Sequence, residues 1–248
     1  MPVLTAGVDL AAEPKGTALA VIDWTSSSAT VVDLQLGITD EPIVEAASQV
    51  DKLGIDCALG WPQEFVAFMT QQSDASLSGH TFDGGMEWRR RLAYRETDRH
   101  VREVTGRWPL SVSTDRLGLT AMRCAGLLSR LSSSGVEIDR SGAGLVAEVY
   151  PGASLRLWGL NTTGYRTSED LRTELLSTLK SQAPWFDPGD AQDLMITSCD
   201  AFDAVIAAFA ARAVALGKYV APEATQLELA RVEGWIALPA GQLQDLNP

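Results

Sequence analysis

The beginning of the sequence places three short segments rich in β-branched and apolar residues directly after one another. These segments cover 6–10, 17–23 and 29–34, and turn residues separate them. Runs of this length between turn residues predict strands, and three in succession predict a meander. Any fold for this chain therefore has to contain an antiparallel three-stranded unit near its start.

Helices alternate with apolar strands along the rest of the sequence. The predicted elements are helix 41–53, strand 55–60, strand 145–150, helix 168–179, helix 200–216 and strand 234–238. The order begins βββαβ, which predicts an α/β fold. A helix-leaning stretch, with one helix at 118–131, interrupts the pattern. We therefore expect a single domain over 1–248 with an α-helical insertion at about 64–141.

The charge balance restricts the partners of the chain. With 20 basic and 32 acidic residues, its formal net charge is −12. Because such a surface repels a phosphate backbone, any contact with nucleic acid has to be local or metal-mediated. The three cysteines form no C-x-x-C pair, which favours free thiols in a reducing compartment, and no leader or membrane segment is visible. The sequence predicts a cytoplasmic protein without a membrane anchor, and it leaves the oligomeric state open.

Common cofactor and nucleophile motifs are missing from the sequence. Residues 142–147 fit G-x-G-x-x-[GA], but they lead into a predicted strand, whereas dinucleotide binding needs a helix there. We therefore interpret 142–147 as a loop. The sequence contains no G-x-x-x-x-G-K-[ST], G-x-S-x-G or H-E-x-x-H motif, and its only histidines are His80 and His100. The sequence therefore lacks the residues that a histidine metal site or most Ser-His-Asp catalytic arrangements require.

Five acids lie where charge is costly, inside predicted apolar strands or at the start of the most apolar helix. They are Asp9, Asp56, Glu148, Asp200 and Asp203. The i, i+3 spacing of Asp200 and Asp203 places both on one helix face, where they repel each other. A divalent cation would remove this repulsion, and carboxylate oxygens favour Mg²⁺ or Mn²⁺ over zinc. The pattern predicts a carboxylate-lined magnesium or manganese site.

Each of these acids also has a purely structural interpretation. Asp9 could cap the turn before Gly16, and Asp200 could cap its helix while Asp203 interacts with the helix dipole. The joint occurrence of acids on three strands and one helix favours a common site.

A single basic island interrupts the acidic sequence at 87–107. It contains seven arginines against four acids. One interpretation is phosphate contact by guanidinium groups near the metal site. The other is a helix surface with ion pairs, such as Arg95 with Asp98 and Arg99 with Glu103. Three tryptophans near this island, Trp61, Trp88 and Trp108, could stack on bases or pack in the core.

Six segments carry a resemblance to a known family. They are GVDLA at 7–11, IDCALGWP at 55–62, YRETDRHVR at 94–102, AEVYPGAS at 147–154, DAFDAVIAAFAA at 200–211 and EGWIALP at 233–239. On these residues the chain resembles the ribonuclease H-like superfamily and, more closely, the predicted nucleases catalogued as domain of unknown function 429. The resemblance implies a ribonuclease H-like α/β fold, with a central mixed five-stranded sheet flanked by helices.

The resemblance also implies roles for single residues. It makes Asp9 the metal-bridging carboxylate. It assigns catalysis to Asp9, Asp56, Glu148, Asp200 and Asp203, with the four aspartates as metal ligands. Because the segment 94–102 belongs to the match, the resemblance places Arg95, Asp98 and Arg99 at the substrate.

The leading hypothesis is a Mg²⁺- or Mn²⁺-dependent nuclease that hydrolyses phosphodiester bonds of DNA or RNA with two metal ions. An alternative is an actin-like phosphotransferase or ATPase, which also has an aspartate on its first strand. Such enzymes pair two domains of this kind, and a chain of 248 residues with one recognisable set of strands is too short for two. A third hypothesis is a catalytically silent module that binds nucleic acid or protein. The net charge favours this module, whereas the presence of all five acids counts against it.

Overall fold

The computed structural model of the chain describes residues 3–73 and 84–248. Its strands are β1 (Val3–Asp9), β2 (Ala18–Trp24), β3 (Ala29–Leu36), β4 (Lys52–Asp56), β5 (Val146–Glu148) and β6 (Phe186–Asp187). These strands form one mixed sheet with the order β5-β4-β1-β2-β3-β6. The architecture is therefore α/β, as predicted.

Helices account for much of the remaining described chain. They are α1 (Asp40–Ala47), α2 (Gln63–Gln72), α3 (Gly85–Ala93), α4 (Glu96–Thr105), α5 (Asp115–Ser133), α6 (Pro151–Leu157), α7 (Glu169–Gln182), α8 (Gln192–Thr197), α9 (Cys199–Ala215) and α10 (Leu227–Glu233). Within the described ranges, no helix combines the length and the apolar character needed to cross a bilayer.

The strand pairing places β1 between β2 and β4. β1 is antiparallel to β2 and parallel to β4, and β4 is parallel to β5. β2 and β3 are antiparallel, so the first three strands form the expected meander. The sheet has six strands rather than the expected five, because β6 adds a short parallel strand beside β3.

Several predicted elements differ from the structure, and the strands predicted at 55–60 and 145–150 are β4 at Lys52–Asp56 and β5 at Val146–Glu148. The first helix ends at Ala47 and not at 53, because residues from Lys52 onward pair with β1. The predicted last strand at 234–238 is wrong, since this segment forms only an isolated bridge between Ile236 and Glu148. Its apolar pattern reflects burial instead, because Ile236 packs with residues that include Val101 of α4.

Helix α9 lies against one face of the sheet at very short distance. A side chain on Gly7 of β1 would overlap the backbone of Ala204 and Ala208 in α9. A side chain on Gly54 of β4 would also collide with the α9 backbone. Glycine is therefore required at both positions, because no Cβ fits between these strands and the helix.

The opposite face of the sheet is covered by α1 and α5. Val8 of β1 and Ile55 of β4 pack there in one cluster with Ile43 of α1 and Leu127 of α5. Side chains alternate between the faces along a strand, so the residues that follow Val8 and Ile55 point to the α9 face. Both strands therefore direct their last residue, an aspartate, toward α9.

The predicted insertion at about 64–141 corresponds to α2, α3, α4 and α5. Its residues 74–83, which include His80, lie outside the described residues. Within the described part, α5 packs on α1 and the sheet, and α4 contacts α10. Part of the insertion therefore contributes to the core.

The glycine pattern at 142–147 is a loop that leads into β5, as predicted. The Nζ of Lys52 donates to the carbonyl oxygen of Gly142 at 2.6 Å and to that of Gly144. Burial lowers the pKa of Lys52 to about 8. The loop thus presents carbonyl oxygens to a cation, whereas a dinucleotide loop presents N–H groups to a phosphate.

Candidate active site

Two of the predicted acids end neighbouring parallel strands. Asp9 is the last residue of β1, Asp56 is the last residue of β4, and the two are register partners. Neighbouring strands lie about 4.8 Å apart, and paired residues point to the same face. The two carboxyl groups therefore project side by side toward α9, and neither accepts a hydrogen bond from a described residue.

The start of α9 adds two further acids. Ser198 caps this helix by accepting a backbone N–H at 3.2 Å, so Asp200 is not the cap. Asp200 and Asp203 lie in the first two turns, and both repel Asp9 electrostatically. The structure thus brings the four predicted aspartates, the fourth being Asp56, into one group.

Burial and mutual repulsion perturb the two strand-end acids. Burial, followed by repulsion from the other three aspartates, raises the pKa of Asp9 well above its usual range. Burial and the charge of Asp203 raise the pKa of Asp56 to about 8. The Arg166 guanidinium opposes both pKa shifts without cancelling them. In the absence of another cation, the group therefore retains protons near neutral pH.

Asp203 holds an arginine at the edge of this group. The hydroxyl of Tyr165 donates to its Oδ1 at 2.9 Å, and Nη2 of Arg166 lies 3.3 Å from its Oδ2. The Nε of Arg166 also donates to the Tyr165 hydroxyl at 3.2 Å. Burial raises the pKa of Asp203 to about 6, and Arg166 limits this rise. We therefore infer that the main role of Asp203 is to position Arg166, and that metal binding by Asp203 is secondary to it.

Glu148 lines the same pocket as Asp9 and Asp56, but it is paired with an arginine. Its register partner in β4 is Ile55, which faces α5, so strand alternation turns Glu148 from α9. Arg95 donates to its two oxygens at 2.7 and 2.8 Å, and the backbone N–H of Leu59 donates at 3.1 Å. Glu148 therefore has a structural role as the partner of Arg95, and its catalytic role stays a prediction.

Arg95 is the buried centre of that ion pair, with 2% of its side chain exposed. Its five N–H groups donate to Asp98, to Glu148 and to the backbone carbonyl of Glu233. Burial alone would lower the pKa of Arg95, but Asp98 and Glu148 raise it well above the usual value. No N–H of Arg95 remains for a phosphate in this arrangement, so Arg95 and Asp98 form a structural ion pair at the pocket, and their contact with a substrate stays a prediction.

Three of the five predicted acids, Asp9, Asp56 and Glu148, line a pocket with a volume of about 260 Å³, and Asp200 and Asp203 are not among its lining residues. The three acids share its lining with three arginines, the paired Arg95 and also Arg116 and Arg166, and with apolar residues that include Leu110. The Arg116 side chain is exposed at the start of α5. The pocket therefore combines unpaired carboxyl groups with guanidinium groups.

Arg99 does not belong to the residues that line this pocket. It forms an ion pair with Glu96 at 3.1 Å and donates to the carbonyl oxygen of Tyr94. The partner is Glu96 and not Glu103, but the ion-pair interpretation of this part of the basic island is confirmed. The contact of Arg99 with a substrate stays a prediction as well.

Sequence reasoning missed the residues that surround the acids with positive charge. Tyr165 and Arg166 lie in the loop before α7, and Arg116 lies in the first turn of α5. A single charged residue in a polar segment is typical of a solvated surface. The sequence contains no motif that would have separated these arginines from the other exposed ones.

The donor set suits a hard divalent cation. Asp9, Asp56 and Asp200 supply carboxylate oxygens that accept no hydrogen bond from the described part of the chain. The raised pKa values reflect burial and repulsion, and a cation would relieve the repulsion. As the side chains stand, no three His, Cys, Asp or Glu residues in the described ranges form a ready metal-binding group. Ion binding therefore requires side-chain rotations that bring these oxygens together.

We expect the stability of the metal-free protein to fall as pH rises from about 4 to about 8. An unfolded aspartate titrates near pH 3.9, whereas the pKa of Asp56 in the folded chain is about 8. Between these values the folded state binds more protons than the unfolded state, so the free energy of unfolding decreases with pH. Thermal unfolding in chelator would measure the slope, which Asp56→Asn should reduce. An unchanged slope in the variant would contradict the perturbed pKa of Asp56.

The comparisons with known proteins give a family but no relative of known activity. A family model described as "Protein of unknown function (DUF429)" matches residues 7–226. This range contains both strand-end aspartates, α9 and the pocket arginines. No curated protein and no solved structure matches the chain significantly. Because the family model covers most of its length, the chain belongs to the DUF429 family.

Proposed function

We propose that this protein is a Mg²⁺- or Mn²⁺-dependent nuclease that hydrolyses phosphodiester bonds. The observation that carries the proposal is the pair of register partners Asp9 and Asp56, which are half-buried at the pocket and accept no hydrogen bond from a described residue. A structural buried acid is normally satisfied by donors, as Glu148 is by Arg95. The oxygens of the two aspartates are therefore available to a ligand from outside the chain.

The residues around the acids supply what phosphate chemistry needs. A bound divalent ion would supply Lewis-acid activation of water and of the phosphate. Arg116 and Arg166 offer guanidinium N–H groups to phosphate oxygens at the same pocket. Asp203 and Tyr165 limit the rotation of Arg166, so less entropy is lost when a phosphate binds.

A nucleic acid fits this pocket better than a free phosphate. Trp108 is 41% exposed and stacks on Tyr94 with 4.1 Å between the ring centroids. The next two residues after Trp108, Pro109 and Leu110, line the pocket. Exposed aromatic faces bind bases by stacking, with little preference for sequence. The aromatic pair therefore lies where a base next to the reacting phosphate would bind.

We also infer a ribonuclease H-like fold. The first five strands occur in the expected chain order, and β1 lies between β2 and β4. The acids at the ends of β1 and β4 agree with the positions that this interpretation assigns to them. The sixth strand only extends the sheet at the edge beyond β3, away from these acids.

Hydrolysis of a substrate panel tests the proposal. The purified protein is incubated with single-stranded, duplex, hybrid and branched substrates in Mg²⁺ or Mn²⁺. We expect cleavage that requires the metal and stops on addition of chelator. A folded protein that cleaves none of these substrates in either metal would contradict the nuclease and favour the binding module.

We expect Arg116→Gln to raise KM about tenfold with a smaller effect on kcat, because one charge-assisted hydrogen bond to phosphate is lost. The salt dependence of binding should also become less steep. Arg102→Gln is the matched control, since Arg102 is an exposed arginine outside the pocket lining. An equal rise of KM in both variants would show a general charge effect and contradict a specific contact by Arg116.

A further inference from the structure

A second cleft lies at the end of the sheet opposite the acids. Its volume is about 420 Å³, and Val3, Lys52 and Arg212 are among the residues that line it. Val3 and Lys52 begin the parallel strands β1 and β4, which run from this cleft to the acids at their ends. Along α9, about 18 Å separates Arg212 from Asp200, at 1.5 Å per residue. This Arg212 cleft is therefore separate from the acid pocket.

Arg212 is a buried cation without a hydrogen-bond partner in the described ranges. Only 8% of the residue is exposed, and its Nε is enclosed without an acceptor. The two Nη groups also donate to no described residue, but unlike Nε they are not enclosed. Buried N–H groups of a charged side chain are normally paired. Because Arg212 lines the cleft, its Nη groups are available to an acceptor that enters from outside.

The ring of Trp24 holds the guanidinium group of Arg212 in place. The guanidinium carbon lies 4.8 Å from the ring centre, and Nε1 of Trp24 donates to Oγ1 of Thr5 at 2.8 Å. A cation–π contact uses the face of the planar guanidinium, whereas its N–H groups lie in the plane and point outward. The contact therefore fixes the orientation of Arg212 and leaves its N–H groups free to donate.

The charged residues that line the cleft leave one positive charge uncompensated. Lys52 and Arg212 are its cations, and Asp51 is its one acid. Asp51 attracts Arg212 but forms no ion pair with it, and Lys52 donates to two loop carbonyl oxygens, which carry no net charge. Asp139 also attracts Lys52, but it lies outside the lining and pairs with Arg231. The cleft therefore suits an anion with a single charge.

We propose that the Arg212 cleft binds a small organic monocarboxylate, with the Nη groups of Arg212 as donors to the carboxylate. A guanidinium group can donate two parallel N–H bonds to a carboxylate, whose single charge matches the charge left at the cleft. The apolar side chains of Val3, Val214 and Leu216 also line the cleft, and they provide contacts for the hydrocarbon part of the ligand. This site does not depend on the proposed nuclease function.

Ligand-detected NMR with acetate, butyrate and hexanoate tests the site on the full chain in metal-free buffer. We expect saturable binding that becomes tighter with chain length, by about fourfold for each buried methylene group. Arg212→Gln should weaken butyrate binding at least about tenfold, because a charge-assisted hydrogen bond is lost. Arg102→Gln removes an exposed arginine elsewhere and should leave butyrate binding unchanged.

A second variant separates binding from a structural role of Arg212. Arg212→Lys keeps a positive charge near Trp24 but lacks the planar fork, so it should keep the Tm of the wild-type protein and bind butyrate about tenfold more weakly. If Arg212→Gln does not fold, Arg212→Lys decides. Weaker butyrate binding by this folded variant supports the site, and unchanged binding overturns it.

Three further outcomes would overturn the proposal. One is a wild-type protein that binds none of the three carboxylates, and another is an equal loss of butyrate binding in Arg102→Gln. The third concerns the kind of anion. Inorganic phosphate that binds more tightly than butyrate, and loses its binding in Arg212→Gln, would assign the cleft to phosphate and not to a carboxylate.

Discussion

Replacing Asp9 with asparagine should lower metal-dependent kcat/KM at least about a thousandfold. Metal ions stabilise transition states of this kind by several kcal/mol, and each 1.36 kcal/mol corresponds to about a factor of ten in rate. Asp9 interacts electrostatically with all three other aspartates and, unlike Asp203, accepts no hydrogen bond from a described residue. Asparagine keeps the size of the side chain but removes the charge that would attract the cation. The hydrolysis assay on the most reactive substrate of the panel measures this effect.

A stability measurement separates the loss of metal binding from misfolding. In chelator, Asp9→Asn should be at least as stable as the wild-type protein, because the substitution removes repulsion among buried carboxyl groups. In Mn²⁺ the wild-type Tm should rise by mass action, whereas the Tm of the variant should not. Asp190→Asn, at an exposed site after β6, is the matched control and should behave as the wild-type protein. Activity of Asp9→Asn within tenfold of the wild-type value would contradict the assigned site.

The four aspartates could be predicted because their signal is local in the sequence. Asp9 and Asp56 interrupt apolar runs, and Asp200 and Asp203 have helical spacing at the start of an apolar helix. Burying an unpaired charge among apolar residues costs free energy, so a charge in an apolar run indicates a function or a specific partner. This signal can be recognised from the sequence alone. The same local patterns predicted the meander and four of the ten helices in the described chain. Because side chains alternate along each strand, the acids at the ends of β1 and β4 point to the face of the sheet that α9 covers. There they lie near the two acids of α9.

The role of Glu148 could not be predicted, because it depends on register. Glu148 also interrupts an apolar strand, so its local signal equals that of Asp56. Only the pairing with Ile55 shows that it faces the other side of the sheet. Its partner Arg95 lies 53 residues away in sequence, in a helix of the insertion. A single sequence carries no information on such a long-range pair.

The pocket arginines were missed for a related reason. Arg116 in α5 and Arg166 in the loop before α7 are ordinary charged residues in their own segments. Their significance comes from convergence around the acids, which only the tertiary structure defines. The basic island at 87–107 attracted attention because its charges are adjacent in sequence. Its arginines at 95 and 99 are nevertheless used in intrachain pairs.

Arg95→Met should destabilise the protein by about 3–5 kcal/mol, because it leaves Asp98 and Glu148 buried without their shared cation. This is a large part of the 5–15 kcal/mol that typically separates a folded domain from its unfolded state. Denaturant unfolding at neutral pH measures the loss. Arg99→Met is the control, since its ion pair with Glu96 is about one-third exposed and should contribute at most about 1 kcal/mol. Adding Glu148→Gln to Arg95→Met should recover part of the loss by removing one unpaired charge. If Arg95→Met instead weakened substrate binding at unchanged stability, Arg95 would contact the substrate after all, and the buried ion pair would not be its main role.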